Sequence, residues 1–317
     1  MTGDLSRTAR LADGPLPQVE LPLPPWPGEE VAGLFVRSTP ATPGAEPALF
    51  VHGLGGASTN WTDLMGLLSH RLAGDALDLP GFGHSDPPRD GAYRLGTHVA
   101  AVVRVIEERA RGPVHLFGNS LGGAVSTRVA ATRPDLVRTL TLVSPALPSL
   151  APRRGADPRL PLLLVPGLGR LAQRQLARRS PEQRARGVIA LCFADPAAVP
   201  AVRVQEAVEE ALRRSALPWA EAAMTGSLRG LVGSYLERGP RSLWAQAATV
   251  TAPTLLVWGA KDRLVDVALA PRALGAFRNG RLLVLPSVGH VAQLERPEAV
   301  ARAFLAMLED NAPLTVP

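Results

Sequence analysis

The 317-residue sequence has a single cysteine, Cys192, and a single lysine, Lys261. A lone cysteine cannot form a disulfide within the chain, so nothing in the sequence points to an oxidising compartment. The amino-terminal residues hold no apolar segment of signal-peptide length, and no apolar run approaches the roughly 20 residues that span a bilayer. We therefore expect a cytoplasmic protein without stable membrane insertion.

Because lysine is scarce, nearly all of the positive charge behind the formal net charge of +6 is arginine. Nucleic-acid-binding proteins concentrate such charge in a stripe with interleaved aromatic residues. Here the arginines are scattered and stand near acids, as Arg104 and Arg109 do around Glu107 and Glu108, so no nucleic-acid partner is expected. The sequence also has no cluster with metal-ligand spacing and no phosphate-binding loop with its lysine, so we expect no cofactor.

Short apolar runs alternate with helical patterns along most of the chain. Strands are predicted at residues 48–53, 75–81, 114–118, 136–146, 253–259 and 280–286, with an antiparallel pair near 30–39. Strands that are apolar throughout and separated by helices indicate a parallel sheet covered on both faces. The expected fold class is α/β, with a mostly parallel eight-stranded sheet flanked by helices.

Two parts of the chain depart from this alternation. Residues 1–28 are rich in proline and polar residues, which predicts a flexible amino-terminal arm. Between Pro145 and about Ala248 only helical stretches cut by prolines are found. About a hundred residues is too long for a connection between two strands, so this insertion is predicted to form a helical cap over one edge of the sheet.

One serine stands at the junction of a predicted strand and a predicted helix, in "LFGNSLGGAV" (116–125). Ligands of open parallel sheets bind beyond the carboxyl ends of the strands, where Ser120 would lie. A sharp turn there requires residues without bulk, and Gly118 and Gly122 meet that requirement. We expect Ser120 to be a nucleophile, whereas the alternative is a tight packing site at the start of a helix.

A serine hydroxyl requires a base and a group that orients the base. Of the six histidines, His290 alone follows a strand through a short loop and precedes a helix, which places it at the same edge of the sheet. Asp262 comes three residues after Gly259 at another strand end, while its competitor Asp266 falls a helical turn further on. The expected triad is Ser120, Asp262 and His290.

The oxyanion that forms during acyl transfer requires two fixed hydrogen-bond donors. One is expected to be the backbone N–H of Leu121, directly after the nucleophile. The other is expected to be that of Leu54 in "VHGLGG" (51–56), where glycines such as Gly53 let the backbone approach a substrate. His52 is expected to brace this loop by hydrogen bonds instead of serving as a second base.

The order Ser120, Asp262, His290, together with "HGLGG", "DLPGFGHSD", "GNSLGG", "WGAKDRLVD" and "GHVAQLERPEAV", resembles the α/β-hydrolase fold superfamily over residues 30 to 310. The resemblance implies a core domain formed by residues 29–146 and 248–317, with residues 147–247 as an inserted helical lid. A serine at position 120 points to the branch with a serine nucleophile and away from the aspartate and cysteine branches. Asn119 before the serine is similar to the nucleophile turn of bacterial C–C bond hydrolases.

Within the serine branch the sequence favours a hydrolase of carboxylic esters with small to medium hydrophobic acyl groups. The resemblance leaves C–C bond hydrolysis of ring-cleavage products open, along with lactonase or perhydrolase activity. C–C hydrolysis requires cationic or polar groups that hold a carboxylate, and Arg174, Arg178 and Arg179 in the lid are candidates. A non-catalytic ligand-binding protein is the third alternative, and a complete triad argues against it. The expected partner is a small hydrophobic ester.

Overall fold

The computed structural model describes residues 7–40, 42–149 and 179–311, which are organised around one eight-stranded sheet. In chain order the strands are β1 (Gly28–Val31), β2 (Leu34–Ser38), β3 (Glu46–Val51), β4 (Leu72–Leu77), β5 (Val114–Asn119), β6 (Val137–Val143), β7 (Thr254–Gly259) and β8 (Gly280–Leu285). They lie side by side in the order β1-β2-β4-β3-β5-β6-β7-β8. Only the β1–β2 and β2–β4 pairs are antiparallel. The predicted fold class is confirmed.

Helices cover both faces of the sheet. Those in the described residues are α1 (Thr62–Leu68), α2 (Leu95–Arg109), α3 (Leu121–Thr132), α4 (Pro181–Cys192), α5 (Ala201–Ser215), α6 (Ala220–Tyr235), α7 (Leu243–Thr249), α8 (Ala270–Ala276), α9 (Ala292–Glu295) and α10 (Pro297–Asn311). None of the helices in the described ranges is long and apolar enough to cross a membrane. Because β3, β5, β6, β7 and β8 run parallel to one another, their carboxyl ends lie at one edge of the sheet.

Apolar side chains form one core on each face of the sheet. On the first face, α2, α3, α7 and α8 pack against the strands, and Leu116, Leu140 and Trp258 lie in the resulting cluster. On the second face, α1 and α10 cover a cluster that contains Phe50 and Phe117. The strands are buried on both sides because their sequences are apolar throughout, as parallel strands between two helical layers require.

The segment between β6 and β7 contributes helices outside these two layers. Helices α4, α5 and α6 follow one another there, and α6 lies against the turn before α2 because Gly226 and Gly230 let it approach Tyr93 closely. Helix α7 instead packs on α3 and buries Leu243 and Ala247 in the first core. We therefore propose that the predicted cap, 147–247, ends near residue 242. Its residues 150–178 lie outside the described residues.

The described part of the predicted flexible arm runs along the core. Arg7 donates to the Phe277 and Gly280 carbonyls, Thr8 lies in a parallel bridge with Leu282 beside β8, and the Ala12 N–H donates to the Arg302 carbonyl at 3.1 Å. This arrangement differs from the expected loose arm because the partners are backbone groups near the other end of the chain. Local composition contains no information about such partners.

The helix predicted after β3 is shorter than its pattern suggested. The pattern of "NWTDLMGLLSHRLA" (60–73) is helical throughout, but the helix begins after a 3₁₀ turn, Ser58–Trp61, and ends at Leu68. Leu72 already pairs with Glu46 in β4. Sheet pairing therefore ends the helix early, and His70 lies outside it.

Candidate active site

Ser120 occupies the turn that joins β5 to α3. Its backbone has φ +54° and ψ −115°, a conformation that favours glycine and strains a residue with a side chain. The Ser120 N–H donates to the Val143 carbonyl of the neighbouring strand at 3.1 Å, and the Ser120 carbonyl accepts from the Ala124 N–H of α3 at 3.1 Å. The turn is thus fixed on both sides, and it holds a partly exposed hydroxyl at the carboxyl edge of the sheet.

Two glycines make the turn possible. A Cβ added at Gly118 would lie 2.5 Å from the Gly122 carbonyl oxygen, and one added at Gly122 would lie 2.2 Å from the Val51 carbonyl oxygen. Both distances are shorter than real Cβ contacts, and both partners are backbone. The first turn of α3 therefore lies against Gly118 of β5 and against the end of β3, and neither glycine leaves room for a side chain.

Asp262 and His290 meet at the same edge. His290 Nδ1 lies 2.9 Å from Asp262 Oδ2 and 3.1 Å from Oδ1, and both side chains are buried. Asp262 Oδ1 also accepts from the Leu264 and Val265 N–H groups. Burial alone would raise the pKa of Asp262, but the charge of His290 and these hydrogen bonds together lower it below its ordinary value. Asp262 is therefore built to remain an anion beside the imidazole.

Asp266, the competing carboxylate, has another role. Its side chain accepts from the Ala268 N–H at 2.9 Å and caps the 3₁₀ turn Val267–Leu269. This is the capping geometry expected of an aspartate before a helical turn. The structure brings Asp262, and not Asp266, into contact with His290.

Asn119 links the serine turn to the histidine loop. Its buried Nδ2 donates to the Val143 carbonyl at 3.0 Å and to the His290 carbonyl at 3.2 Å. Within the described residues no hydrogen bond joins Ser120 Oγ to the His290 ring. Contacts of this kind are often long without substrate and tighten in the reacting complex. Asn119 thus connects the turn of Ser120 to the loop of His290, and His290 in turn contacts Asp262.

The loop after β3 lies directly beside the serine. A Cβ added at Gly53 would lie 3.1 Å from Ser120 Cβ and 2.9 Å from Asn119 Oδ1. The Gly56 N–H donates to the Gly53 carbonyl at 3.0 Å, and Gly55 has φ +73°, so residues 53–56 form a tight turn with Leu54 at its second position. The Leu121 N–H is at the first position of α3, where the helix itself supplies no acceptor.

His52 contacts this turn from the interior of the core. It is fully buried, its Nδ1 lies 2.7 Å from the Gly53 carbonyl oxygen, and the Leu79 N–H donates to its Nε2 at 2.9 Å. Burial lowers the pKa of His52, so the ring is neutral with its proton on Nδ1. Both nitrogens are occupied by backbone groups, which is consistent with a brace.

Sequence reasoning did not single out Glu295, which ties the histidine loop to the cap. Its carboxylate accepts from the Gly289 N–H at 2.7 Å and from the Ala194 N–H at 2.9 Å, while the His290 N–H donates to the Cys192 carbonyl at 2.7 Å. Burial raises the pKa of Glu295. The segment after α4 is thus hydrogen-bonded to the loop that carries His290. The motif "GHVAQLERPEAV" contains Glu295, but nothing in it identifies Ala194 as a partner.

Cys192 lies in the segment that contacts the histidine loop. Burial raises the pKa of the Cys192 thiol to about 12, so the thiol stays protonated and is a poor nucleophile. Across residues 7–40, 42–149 and 179–311, no group of three or more histidine, cysteine, aspartate or glutamate side chains is arranged to hold a metal ion. Among the residues that the structure describes, the site consists of side chains and backbone donors suited to acyl transfer.

Comparison with known proteins agrees with this architecture. A family model for the alpha/beta hydrolase fold matches residues 47–297, which include the serine turn, the acid and the histidine. The chain belongs to the α/β-hydrolase fold family. It is therefore an enzyme of the hydrolase class, and the alternative of a non-catalytic binding protein is set aside.

Three similar proteins show how varied this family is. The hydrolase is 29% identical to the dihydrolipoyllysine-residue acetyltransferase component of the acetoin cleaving system from Cupriavidus necator, over 89% of this chain and 67% of that protein. It is 26% identical to a 2-hydroxy-6-oxononadienedioate/2-hydroxy-6-oxononatrienedioate hydrolase from Cupriavidus pinatubonensis, over 84% and 86%. The crystal structure of a bacterial membrane phospholipase A superimposes with a TM-score of 0.71 at 26% identity, over 90% and 86%.

Proposed function

We propose that the protein hydrolyses carboxylic esters with small to medium hydrophobic acyl groups, and that Ser120 forms the acyl-enzyme. The observation that carries the proposal is the contact of buried Asp262 with His290, whose carbonyl is bound by Asn119 next to the strained Ser120 turn. A serine at such a turn, an imidazole and a buried carboxylate are the groups that acyl transfer requires.

In the first half of the reaction Ser120 Oγ attacks the carbonyl carbon of the ester while its proton moves to His290 Nε2. The carbonyl oxygen gains the negative charge and accepts hydrogen bonds from the Leu54 and Leu121 N–H groups. The tetrahedral intermediate then expels the alcohol oxygen, which takes the proton from His290. Asp262 stabilises the imidazolium through both steps and holds its Nδ1–H in place.

In the second half a water molecule gives a proton to His290 and attacks the acyl carbon. The same two N–H groups stabilise the second oxyanion. Its collapse breaks the bond to Ser120 Oγ, which recovers the proton from His290, and the carboxylic acid leaves.

The preference for an apolar acyl group is supported by the side chains around the turn at Leu54. Met224 of α6 lies against Gly55, and Leu54 and Trp219 border the first core. The similarity to a phospholipase A also favours ester chemistry. We infer that the acyl chain lies between this turn and the cap.

C–C bond hydrolysis is the second candidate, and the similarity to a dienedioate hydrolase favours it. It would require a cation free to bind a carboxylate. Arg174 and Arg178 lie outside the described residues, and Arg179 is exposed. Arg214, which lies beside Gly55, is paired with Glu210. Arg214 is thus already engaged by Glu210 and by the Gly55 carbonyl, which favours the ester.

A graded series of 4-nitrophenyl esters tests the proposal. Each added methylene contributes up to about 0.8 kcal/mol when it is buried, so kcat/KM should rise by up to about fourfold per methylene from the acetate until the pocket is filled. Ser120→Ala is the matched control and should show no turnover. Turnover of a ring-cleavage dienoate without hydrolysis of any ester would refute the ester proposal in favour of C–C hydrolysis.

A further inference from the structure

In the turn at residues 53–56 the carbonyl groups of Gly53 and Gly55, one on each side of Leu54, both accept hydrogen bonds. The Gly53 carbonyl shares a peptide plane with the Leu54 N–H. It is held from within the core by His52 Nδ1 at 2.7 Å and by the Gly56 N–H at 3.0 Å. One end of the turn is therefore fixed by the core domain.

The Gly55 carbonyl at the other end is held by the cap. Arg214, in the last turn of α5, donates from Nη2 to the Gly55 oxygen at 2.5 Å. A Cβ added at Gly55 would lie 2.7 Å from the terminal methyl of Met224 and 3.3 Å from Arg214 Nη1, so both cap side chains touch the turn. A guanidinium forms a stronger hydrogen bond with a carbonyl than a neutral donor does.

Arg214 is itself held in place. Glu210, one helical turn earlier, accepts from Arg214 Nη2 at 3.2 Å. Glu210 also binds Arg213 in a two-bond contact of 2.9 and 2.7 Å. Arg213 makes no contact with the turn among the described residues. The two neighbouring arginines thus share one acid, but only Arg214 reaches Gly55.

We propose that Arg214 is a positioning residue that fixes the Leu54 N–H for the oxyanion, and that the cap thereby completes the oxyanion hole. This inference rests on the proposed function of the same site. With the Gly55 carbonyl released, the turn is held at the Gly53 end only, and Gly55 offers little resistance to rotation of the peptides around it. The Leu54 N–H would then point less well at the developing negative charge.

The test compares Arg214→Gln, Arg214→Lys and the matched control Arg213→Gln with the wild type in hydrolysis of 4-nitrophenyl butyrate. A donor that acts on the transition state affects kcat and leaves KM nearly unchanged. Arg214→Gln should lower kcat between about tenfold and a hundredfold, with KM within twofold. Arg214→Lys keeps a charged donor and should recover part of the loss, while Arg213→Gln should stay within twofold of the wild type.

A second measurement does not depend on the ester assignment. The rate at which a fluorophosphonate modifies Ser120, followed by mass spectrometry of the intact protein, uses the same oxyanion donors. It should fall in Arg214→Gln and not in Arg213→Gln. The midpoint of thermal unfolding is measured for every variant, so that a kcat loss is counted only in folded protein. If Arg214→Gln does not fold, Arg214→Lys is compared with Arg213→Gln instead, and the expected losses in kcat and phosphonylation rate are smaller.

The outcomes separate the two proposals. Equal kcat and equal phosphonylation rates for folded Arg214 and Arg213 variants would overturn the positioning role, and so would a rise in KM alone, which would make Arg214 a substrate-binding residue. Slow phosphonylation of the Arg214 variant, combined with a wild type that hydrolyses no ester, would support the positioning role and refute the ester proposal.

Discussion

Ser120, the proposed nucleophile, has a backbone conformation that a glycine would adopt more easily. The surrounding contacts hold it there through the Val143 carbonyl and the first turn of α3. A side chain at φ +54° costs on the order of 1 to 3 kcal/mol. The turn is thus less stable than it could be, and the strain keeps the hydroxyl at the sheet edge.

Substitution of Ser120 separates activity from this strain. Ser120→Ala and Ser120→Gly should both lose more than about a thousandfold in kcat, because each removes the nucleophile. Ser120→Gly also relieves the strain, although the greater flexibility of glycine in the unfolded chain offsets part of this gain. The free energy of unfolding should therefore be about 1 kcal/mol higher for Ser120→Gly than for Ser120→Ala. Urea unfolding of the two inactive variants measures the difference. A glycine variant less stable than the alanine variant would contradict the strain argument.

Gly122 should tolerate no side chain. A Cβ there would lie 2.2 Å from the Val51 carbonyl oxygen and 2.6 Å from that of His52. Both atoms belong to the backbone at the end of β3, which cannot move away easily. Gly122→Ala should therefore destabilise the fold by several kcal/mol and lower kcat by shifting the serine turn. Gly275→Ala in α8 is the matched control. With nothing within 4 Å of its added Cβ, it should be neutral or slightly stabilising. Equal unfolding midpoints for the two variants would contradict the prediction.

The residues of the site differ in how well sequence could locate them. Ser120, Asp262 and His290 each come within a few residues of the end of an apolar strand, so their place at the sheet edge follows from strand order. Glu295 and Arg214 act on backbone atoms that lie 101 and 159 residues away. No local pattern encodes such distances, and these two residues became visible only in the folded chain.

At the scale of whole elements, the strands were predicted to within a few residues because their apolar runs are bounded by glycine and proline. Helix ends and the amino-terminal segment were predicted less well. The end of α1 at Leu68 depends on sheet pairing of Leu72, and residues 7–27 are held by partners on α1, β8 and α10. Tertiary contacts override local preference at these places.

One ion pair joins α5 to α1, beside the amino-terminal segment, and should stabilise the attachment of the cap. Arg203 of α5 lies 2.6 Å from Asp63 of α1, with side chains only 9% and 7% exposed, and Asp63 also accepts from the Leu23 N–H at 2.8 Å. Asp63→Ala leaves Arg203 with Glu206 and the Leu23 carbonyl as partners, but it removes one buried ion-pair contact and the acceptor of the Leu23 N–H, so it should cost about 1 to 3 kcal/mol. Chemical unfolding measures the loss.

The exposed pair of Arg133 and Asp135 is the control for this prediction. Asp135→Ala should leave the unfolding midpoint nearly unchanged, because surface ion pairs contribute little. An Asp63→Ala variant as stable as Asp135→Ala would show that the buried pair does not hold the cap to the core. The prediction concerns the free energy of unfolding, so it can be tested without a substrate.

At the scale of the whole molecule, the fold followed from alternation of apolar strands and helices, while the relation of cap to core did not. The cap touches the core at several places, among them Tyr93 beside α6, Glu295 at the histidine loop and Gly55 in the turn at 53–56. Another contact is His98 of α2, whose Nε2 lies 2.9 Å from Ser227 Oγ of α6. These contacts join polar or close-packed groups of segments that are distant in sequence.

The buried histidines should make the stability of the fold fall as the solution becomes acidic. Burial lowers the pKa of His98 from 6.5 to about 4, and it lowers the pKa of His52 and His115 as well. Below pH 6.5 these histidines bind protons in the unfolded chain but remain neutral in the folded chain. The free energy of unfolding therefore decreases as the pH falls from 6.5 towards 4, and the contribution of the neutral histidines is complete only above pH 6.5.

His98 alone should account for about 2 kcal/mol of this loss between pH 7.5 and 5. His98→Gln keeps an amide that can bind Ser227 but does not titrate, so its unfolding free energy should depend less steeply on pH by that amount. Urea unfolding of both proteins at several pH values measures the two slopes. If the slopes were the same, His98 would titrate alike in the folded and unfolded chains, and the contact between α2 and the cap would be accessible to protons.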